Sequence, residues 1–353
     1  MAKLKSSLTT GPVVPASTGS TARGWLGVRV QRWRQLTQAG FFMLFILAPV
    51  FDIFRLDLNL KHFIFFGLNW TLGLDEFVAG RASAGQAAFN LVLRGFLPLL
   101  AIGGTLIYVS WKWGRLYCGW LCPHFSIVET INQTLRRAIG KQSLWDAKAQ
   151  PARNPDGTQT RADAIWWLGV IPLVIGCSVL WAVVLLTYLL PPAEIYGNLW
   201  HGTPTRNQSI FLVAASLAFF VEFMFARHLF CRYACAVGLF QSLAWMANDK
   251  AMVVGFNRAR ASDCATCFSA CDHVCPMRLT PRNVKRMMFA CVQCGQCVDA
   301  CDQTQDNNPK GSLLDWVEDQ RAASEASFNV GTARTIMLKQ IKDDDAQVSP
   351  GKN

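Results

Sequence analysis

The chain has 353 residues, 52% of them hydrophobic and 16% charged, where a soluble domain carries about 25% charged residues. That balance excludes an ordinary soluble globular protein and points to a membrane protein with a soluble part attached. The net charge of +11 then reports basic loops on one side of a bilayer rather than a nucleic-acid surface, and thirteen cysteines complete the outline.

Residues 1–35 are polar and basic and read as a disordered N-terminal tail ending in Arg29, Arg32 and Arg34. No apolar run follows the first lysines, so a cleavable signal peptide is not expected. Residues 37–54 hold a first, short apolar span with Asp52 near its end, and 60–73 are apolar but too short to cross, which predicts an interfacial or re-entrant segment. The second span is about 88–111, with Arg94 near one end and a kink expected at Pro98. Residues 138–163 are rich in proline, glycine and charge and read as a flexible loop. The third span is about 164–189 and the fourth about 208–226, each close to the roughly 20 apolar residues a spanning helix needs.

Four spans put both termini on one side. Six Lys or Arg precede the first span and eight lie in 112–163, whereas the loop between the third and fourth spans has only Arg206. The positive-inside rule then places the termini and the 112–163 loop in the cytoplasm. Residues 302–353 read as polar, with one amphipathic turn in SLLDWVEDQ.

Two short motifs follow pairs of spans. LYCGWLCPHFSIVE carries Cys118 and Cys122, and LFCRYACAVGLFQS carries Cys231 and Cys235. They can be laid over each other, Leu116 on Leu229 and Trp120 on Tyr233, which indicates an internal duplication of a helical hairpin plus motif. A C-x3-C spacing sets two sulfurs one helical turn apart on one face. Two such pairs could give four thiolates to one centre at the membrane edge, either a third iron–sulfur cluster or a soft-metal site such as Cu(I). The plainer reading is reduced cysteines packed as small hydrophobes, which is how the lone Cys177 reads.

The stretch from Cys264 to Cys301 carries eight cysteines in two runs of four, and the second run is C-x2-C-x2-C-x3-C. In that bacterial ferredoxin spacing three cysteines hold one iron–sulfur cube and the fourth ligates the other. Cys264, Cys267, Cys271 and Cys301 are thereby assigned to one [4Fe–4S] cluster, and Cys291, Cys294, Cys297 and Cys275 to the other. Three residues instead of two separate Cys267 from Cys271, and Asp302 follows Cys301 where proline is usual. Structural zinc favours two separated CxxC pairs, and disulfides need an oxidising compartment, so both fit less well.

Taken together, these residues resemble the membrane polyferredoxin family: the CcoG (FixG or RdxA) oxidase accessory proteins, NapH, and the membrane half of NosR. YCGWLCP, FCRYACAVGLFQS and CVQCGQCVDACDQ carry the likeness, over roughly residues 40–315. Ala236 stands where a proline is expected after Cys235, and the further span and C-terminal immunoglobulin-like domain of CcoG proteins are not expected here. The resemblance implies electron transfer at the cytoplasmic membrane, through reduction of Cu(II) to Cu(I) for CcoG or passage of quinol electrons to a partner for NapH.

The expected fold is an α-helical membrane protein, about four spans in two duplicated hairpins, with a cytoplasmic ferredoxin-like 2[4Fe–4S] α+β domain. Its parts are a tail (1–35), a transmembrane domain (36–226), the ferredoxin-like domain (227–310) and a polar tail (311–353). His124 and His228 are further candidates as ligands or proton partners of the cysteine centre, His62 and His201 are weaker candidates for a haem or copper site near the outer face, and His273 is a modulator of its cluster's surroundings. Glu222 and Arg94 lie in or beside spans, where ionisable groups are costly and lean functional. No Gly-rich dinucleotide motif is present, so electrons are expected from a partner protein or from quinol. The expected function is electron transfer between cytoplasmic clusters and a cysteine centre or quinone in the bilayer, supporting a respiratory enzyme. The alternative is a copper-handling assembly factor.

Overall fold

The computed structural model describes residues 20–327. Among the described residues three helices are long and apolar enough to cross a membrane: Ala84–Trp113, Ala164–Thr187 and Arg206–Ala226. The first is 30 residues long, about 45 Å at 1.5 Å per residue, and so outreaches a hydrocarbon core of about 30 Å. Leu97, Leu99, Leu100 and Ile102 stay exposed along it, which suits a lipid-facing flank and would be costly in water.

The expected first span at 37–54 takes a different form. A single helix runs Ser20–Leu47, and the chain then turns into strand β1, Phe54–Asp57. Pro49 lies in that turn, and Arg55 is held between Asp52 and Asp57. The expected tail is therefore helical from Ser20, and its first residues lie outside the described part. Two of its polar side chains, Arg34 and Gln38, are buried against the protein: Arg34 is 1% exposed and forms a bidentate pair with Glu129, at 2.9 and 2.7 Å.

Residues 60–73, expected as an interfacial or re-entrant segment, build β2 (His62–Phe65) and β3 (Leu68–Trp70), which join β1 in an antiparallel sheet of order β1-β2-β3. Gly67 at φ +72 supplies the left-handed turn between β2 and β3. The β1 strand is anchored to the third expected span, Leu56 and Leu58 donating to the carbonyls of Tyr188 and Leu189.

The kink expected at Pro98 is absorbed by a turn of π-helix over Val92–Phe96, just ahead of it. Proline has no N–H to give the carbonyl four residues back, which here belongs to Arg94. The Trp70 indole N–H takes that carbonyl at 3.0 Å, so the bend is tied to the sheet. Arg94 thus contributes a backbone acceptor.

The two copies of the duplicated unit follow one local plan. Each span ends at a residue of positive φ, Gly114 (+73) and Arg227 (+34). A single helical turn follows in each, Leu116–Trp120 and Phe230–Ala234, and then a new helix starts, Pro123–Ile139 and Ala236–Met246. These closing helices are exchanged between copies: Ala236–Met246 packs on the span of the first copy, and Pro123–Ile139 on the helix 167–187 of the second. Cys177 sits in the apolar cluster around Val128, Val174 and Phe223, as an ordinary packing residue.

Residues 138–163, expected as a flexible loop, are irregular but pinned to the soluble domain. Gln142 and Gln150 both donate to the His273 carbonyl, at 2.9 and 3.0 Å, and Asp146 pairs with Arg278. The soluble domain has strand β4 (Val253–Phe256) paired antiparallel with β5 (Leu314–Val317), in register Val253↔Val317 to Phe256↔Leu314. Helices Ala270–Val274 and Gln296–Thr304 pack together. The polar tail expected from 311 therefore supplies a sheet strand and a helix, Asp319–Ser327, because Leu314 and Val317 are buried on the domain. The rest of that tail lies outside the described residues.

Candidate metal centres

The eight ferredoxin-type cysteines separate into two quartets around two cavities. One cavity is lined by Cys264, Cys267, Cys271 and Cys301, with Phe256, Leu313 and Leu314 as apolar wall and Arg282 at its side. The other is lined by Cys275, Cys291, Cys294 and Cys297, with Val254, Met277, Met288 and Trp316. The helix Gln296–Thr304 links them by presenting Cys297 to one cavity and Cys301 to the other, one turn apart. The extra residue between Cys267 and Cys271 is taken up by Phe268 and Ser269, both with positive φ (50 and 54). This bulge turns Phe268 outward.

Burial dominates the chemistry of these thiols. Desolvation pushes the Cys264 thiol up to about 11 and Cys291 up to about 12, and raises Cys271, Cys275, Cys294 and Cys297 as well. A free quartet would stay protonated. A soft metal core that needs thiolate ligands and supplies positive charge fits such a donor set.

The membrane-edge cysteines form a third quartet. Cys118 and Cys231 are buried in the same apolar cluster, with Cys122 packed against them. The Cys231 thiol is raised first by burial and then by the charges of Cys122, Cys118 and Cys235, so all three lie close enough to act on it. Burial likewise lifts Cys122 to about 11. Cys122 and Cys235 stand at the N-cap positions of the two exchanged helices, where the helix dipole favours a thiolate. The Cys118 thiol donates to Gln241 Oε1 at 3.4 Å.

This quartet lies against the ferredoxin loop. A Cβ on Gly119 would come within 2.1 Å of the Val292 carbonyl oxygen, so only glycine permits the approach. Trp120 Nε1 donates to the Gln293 carbonyl at 3.0 Å, and Gln31 of the N-terminal helix donates to the Cys294 carbonyl at 3.0 Å. One core cluster contains Cys118, Cys231 and Cys294, with Cys275 and Cys291 packed on it. In order of contact, the Cys118 quartet adjoins the Cys291 (proximal) quartet, and the Cys264 (distal) quartet adjoins the latter through Cys297 and Cys301. Among the described residues no three His, Cys, Asp or Glu side chains converge on the position of a single ion. Ligands of a cuboidal cluster stand on different irons and are more widely spaced.

The histidines separate. His124 Nε2 lies 2.7 Å from Glu222 Oε1, and its ring packs on Phe223 and Phe230. His228 is buried, and desolvation together with Arg227 and Arg278 pushes it down to about 4, so it is neutral. His273 offers its carbonyl to two glutamines. His62, on β2, and His201, at the end of helix Pro192–His201, are not brought to the cysteines. Arg115, Gly119, Gly238 and the Arg34–Glu129 pair carry much of the site's construction and were not singled out by the sequence reading. An arginine beside a membrane span is indistinguishable, in sequence, from one that obeys the positive-inside rule.

Comparison with known proteins fits this geometry. A 4Fe-4S binding domain family matches residues 95–142 and 208–250, the two copies, and a 4Fe-4S dicluster domain matches 254–319. The ferredoxin-type protein NapH of Haemophilus influenzae is 21% identical over 284 residues, covering 78% of this chain and 88% of that protein. Protein RdxA of Cereibacter sphaeroides is 28% identical over 238 residues, and nitrogen fixation protein FixG of Rhizobium meliloti 25% over 281. Those two alignments cover 62% and 71% of this chain but only 46% of each relative. No solved structure matches. Iron–sulfur domains fall on both copies and on the dicluster fold, and along most of its length the chain is similar to ferredoxin-type membrane polyferredoxins.

Proposed function

We propose that this protein is a membrane-bound iron–sulfur relay that passes electrons between cytoplasmic [4Fe–4S] clusters and a cysteine-ligated centre at the membrane, in support of a respiratory enzyme. The observation that carries the reading is the packing of membrane-edge and proximal cysteines in one core cluster, with the distal cysteines joined to the proximal ones through Cys297 and Cys301 on one helix. Cys264, Cys267, Cys271 and Cys301 hold the distal cluster, Cys275, Cys291, Cys294 and Cys297 the proximal one, and Cys118, Cys122, Cys231 and Cys235 the third centre. Iron–sulfur clusters, when bound, supply one-electron carriers. The chain's part is to fix their order, to keep water from the proximal and membrane-edge thiols, and to hold the soluble domain against the bilayer through Gly119, Trp120 and Gln31.

The N-terminal helix Ser20–Leu47 carries the fourth membrane contact in this reading, through its apolar second half. The basic segment 112–163 puts the clusters on the cytoplasmic side. A membrane quinone is the natural small-molecule partner for an electron leaving or entering at the third centre. A copper-handling role would instead need the four edge thiolates on one Cu(I) ion.

The test is metal analysis of anaerobically purified protein. The reading predicts about 12 irons per chain, since each of three cubes holds four, and loss of about four in Cys294→Ser with the membrane-edge signal retained. Stoichiometric Cu(I) retained by Cys118, Cys122, Cys231 and Cys235, with only eight irons or so from two cubes, would replace the relay with copper handling.

A further inference from the structure

The three quartets differ in how the positive charge beside them is balanced. Next to the distal quartet, Arg282 is paired with Asp272. Next to the proximal quartet, Arg34 is paired with Glu129. At the membrane edge stands Arg115, 1% exposed, and no carboxylate among the described residues lies within ion-pairing distance of it. Its Nη2 donates to the Cys231 carbonyl at 2.7 Å, and the buried guanidinium otherwise faces the Cys118 sulfur and no oxygen acceptor. The fold makes room for this side chain deliberately placed across the copies: a Cβ on Gly238 would fall 2.1 Å from Nη2. Arg115 bears on Cys118 and Cys231, and its influence reaches Cys291 of the proximal quartet.

A buried guanidinium without a counter-charge is strongly unfavourable. Four thiolates around a cluster core form a net anion, which gains one further negative charge on reduction. A fixed cation beside it stabilises the reduced form more than the oxidised form. The arginines at the other two quartets have their charge cancelled by a neighbouring carboxylate.

We propose that Arg115 is the counter-charge of the membrane-edge centre, and that it makes this centre the most positive in reduction potential of the three. An electron delivered to the protein then rests at the membrane edge, and the ferredoxin clusters act as its feed. This rests on the reading that Cys118, Cys122, Cys231 and Cys235 hold one centre. In the test the electron comes from dithionite, which is oxidised as each centre takes up one electron.

The experiment is a potentiometric titration of the full chain in detergent, followed by electron paramagnetic resonance. The membrane-edge signal is identified by its loss, with its iron, in Cys231→Ser. It should be the first reduced as the potential falls. Arg115→Gln should move its midpoint downward while the distal signal stays in place, and Arg115→Lys should recover most of the shift. A membrane-edge signal that is not the highest in the unmodified protein overturns the inference, as does an Arg115→Gln shift no larger than that of the distal signal. The ordering in the unmodified protein decides the matter even if Arg115→Gln loses its iron. If Cys231→Ser removes neither a signal nor iron, the three-centre reading itself falls, which is a distinguishable outcome.

Discussion

Lys285 shows how tightly the soluble domain is pressed on the membrane-edge unit. It is buried, its ammonium donates to the Asn248 carbonyl, and it lies 4.9 Å from the Trp245 ring centroid. Desolvation pulls it down from 10.5 to about 8. The folded protein therefore gives up this proton near pH 8, and the unfolded chain keeps it until about 10.5. Between those values the unfolded state binds more protons, so stability rises with pH across that window. The difference in melting temperature between the unmodified protein and Lys285→Met should change across pH 8 to 10.5, narrowing or reversing in favour of lysine as pH rises. A difference independent of pH would show that Lys285 keeps its proton in the fold. Residue-scale features of this kind were illegible in sequence. Gly119 and Gly238 read as ordinary glycines until their closest neighbours, a carbonyl and a guanidinium, are known.

At the scale of elements, the long apolar helices were legible because lipid exposure demands uninterrupted apolar sequence. Spans expected at about 88–111, 164–189 and 208–226 correspond to Ala84–Trp113, Ala164–Thr187 and Arg206–Ala226. The N-terminal helix was not legible, since its first half is rich in polar and basic residues and the partners of Gln31, Arg34 and Gln38 lie far away in sequence. The Arg34–Glu129 pair is the strongest of these, and Gln38 adds a hydrogen bond to the Gly119 carbonyl at 3.1 Å. Breaking one side of a buried pair strands the other charge, at a cost of about 3–5 kcal/mol. Glu129→Gln should lower thermal stability by that order and raise amide exchange over residues 30–40, whereas the double change Arg34→Leu with Glu129→Leu should cost less. Equal losses in both would mean that the pair acts through packing and not through charge. The strands β1 to β3 were missed for another reason: each is four residues or fewer, and a short apolar run does not distinguish a strand from an interfacial segment.

At the scale of the whole molecule, a 4Fe-4S dicluster domain was legible from cysteine spacing, because a cube constrains where its ligands fall along the chain. The membrane-edge quartet was legible as a duplication, but its construction was not. The exchange of the closing helices is what brings Cys118 and Cys122 of one copy to Cys231 and Cys235 of the other. Ligands of one metal site are strongly coupled, so their losses do not add. The most direct measurement compares iron content and the paramagnetic signals of Cys118→Ser, Cys231→Ser and the double variant, with Cys177→Ser as control. The account predicts that each single change removes the same signal and the same iron, that the double change removes no more, and that the control removes none. Independent, additive losses from the two single changes, or no loss from either, would contradict it.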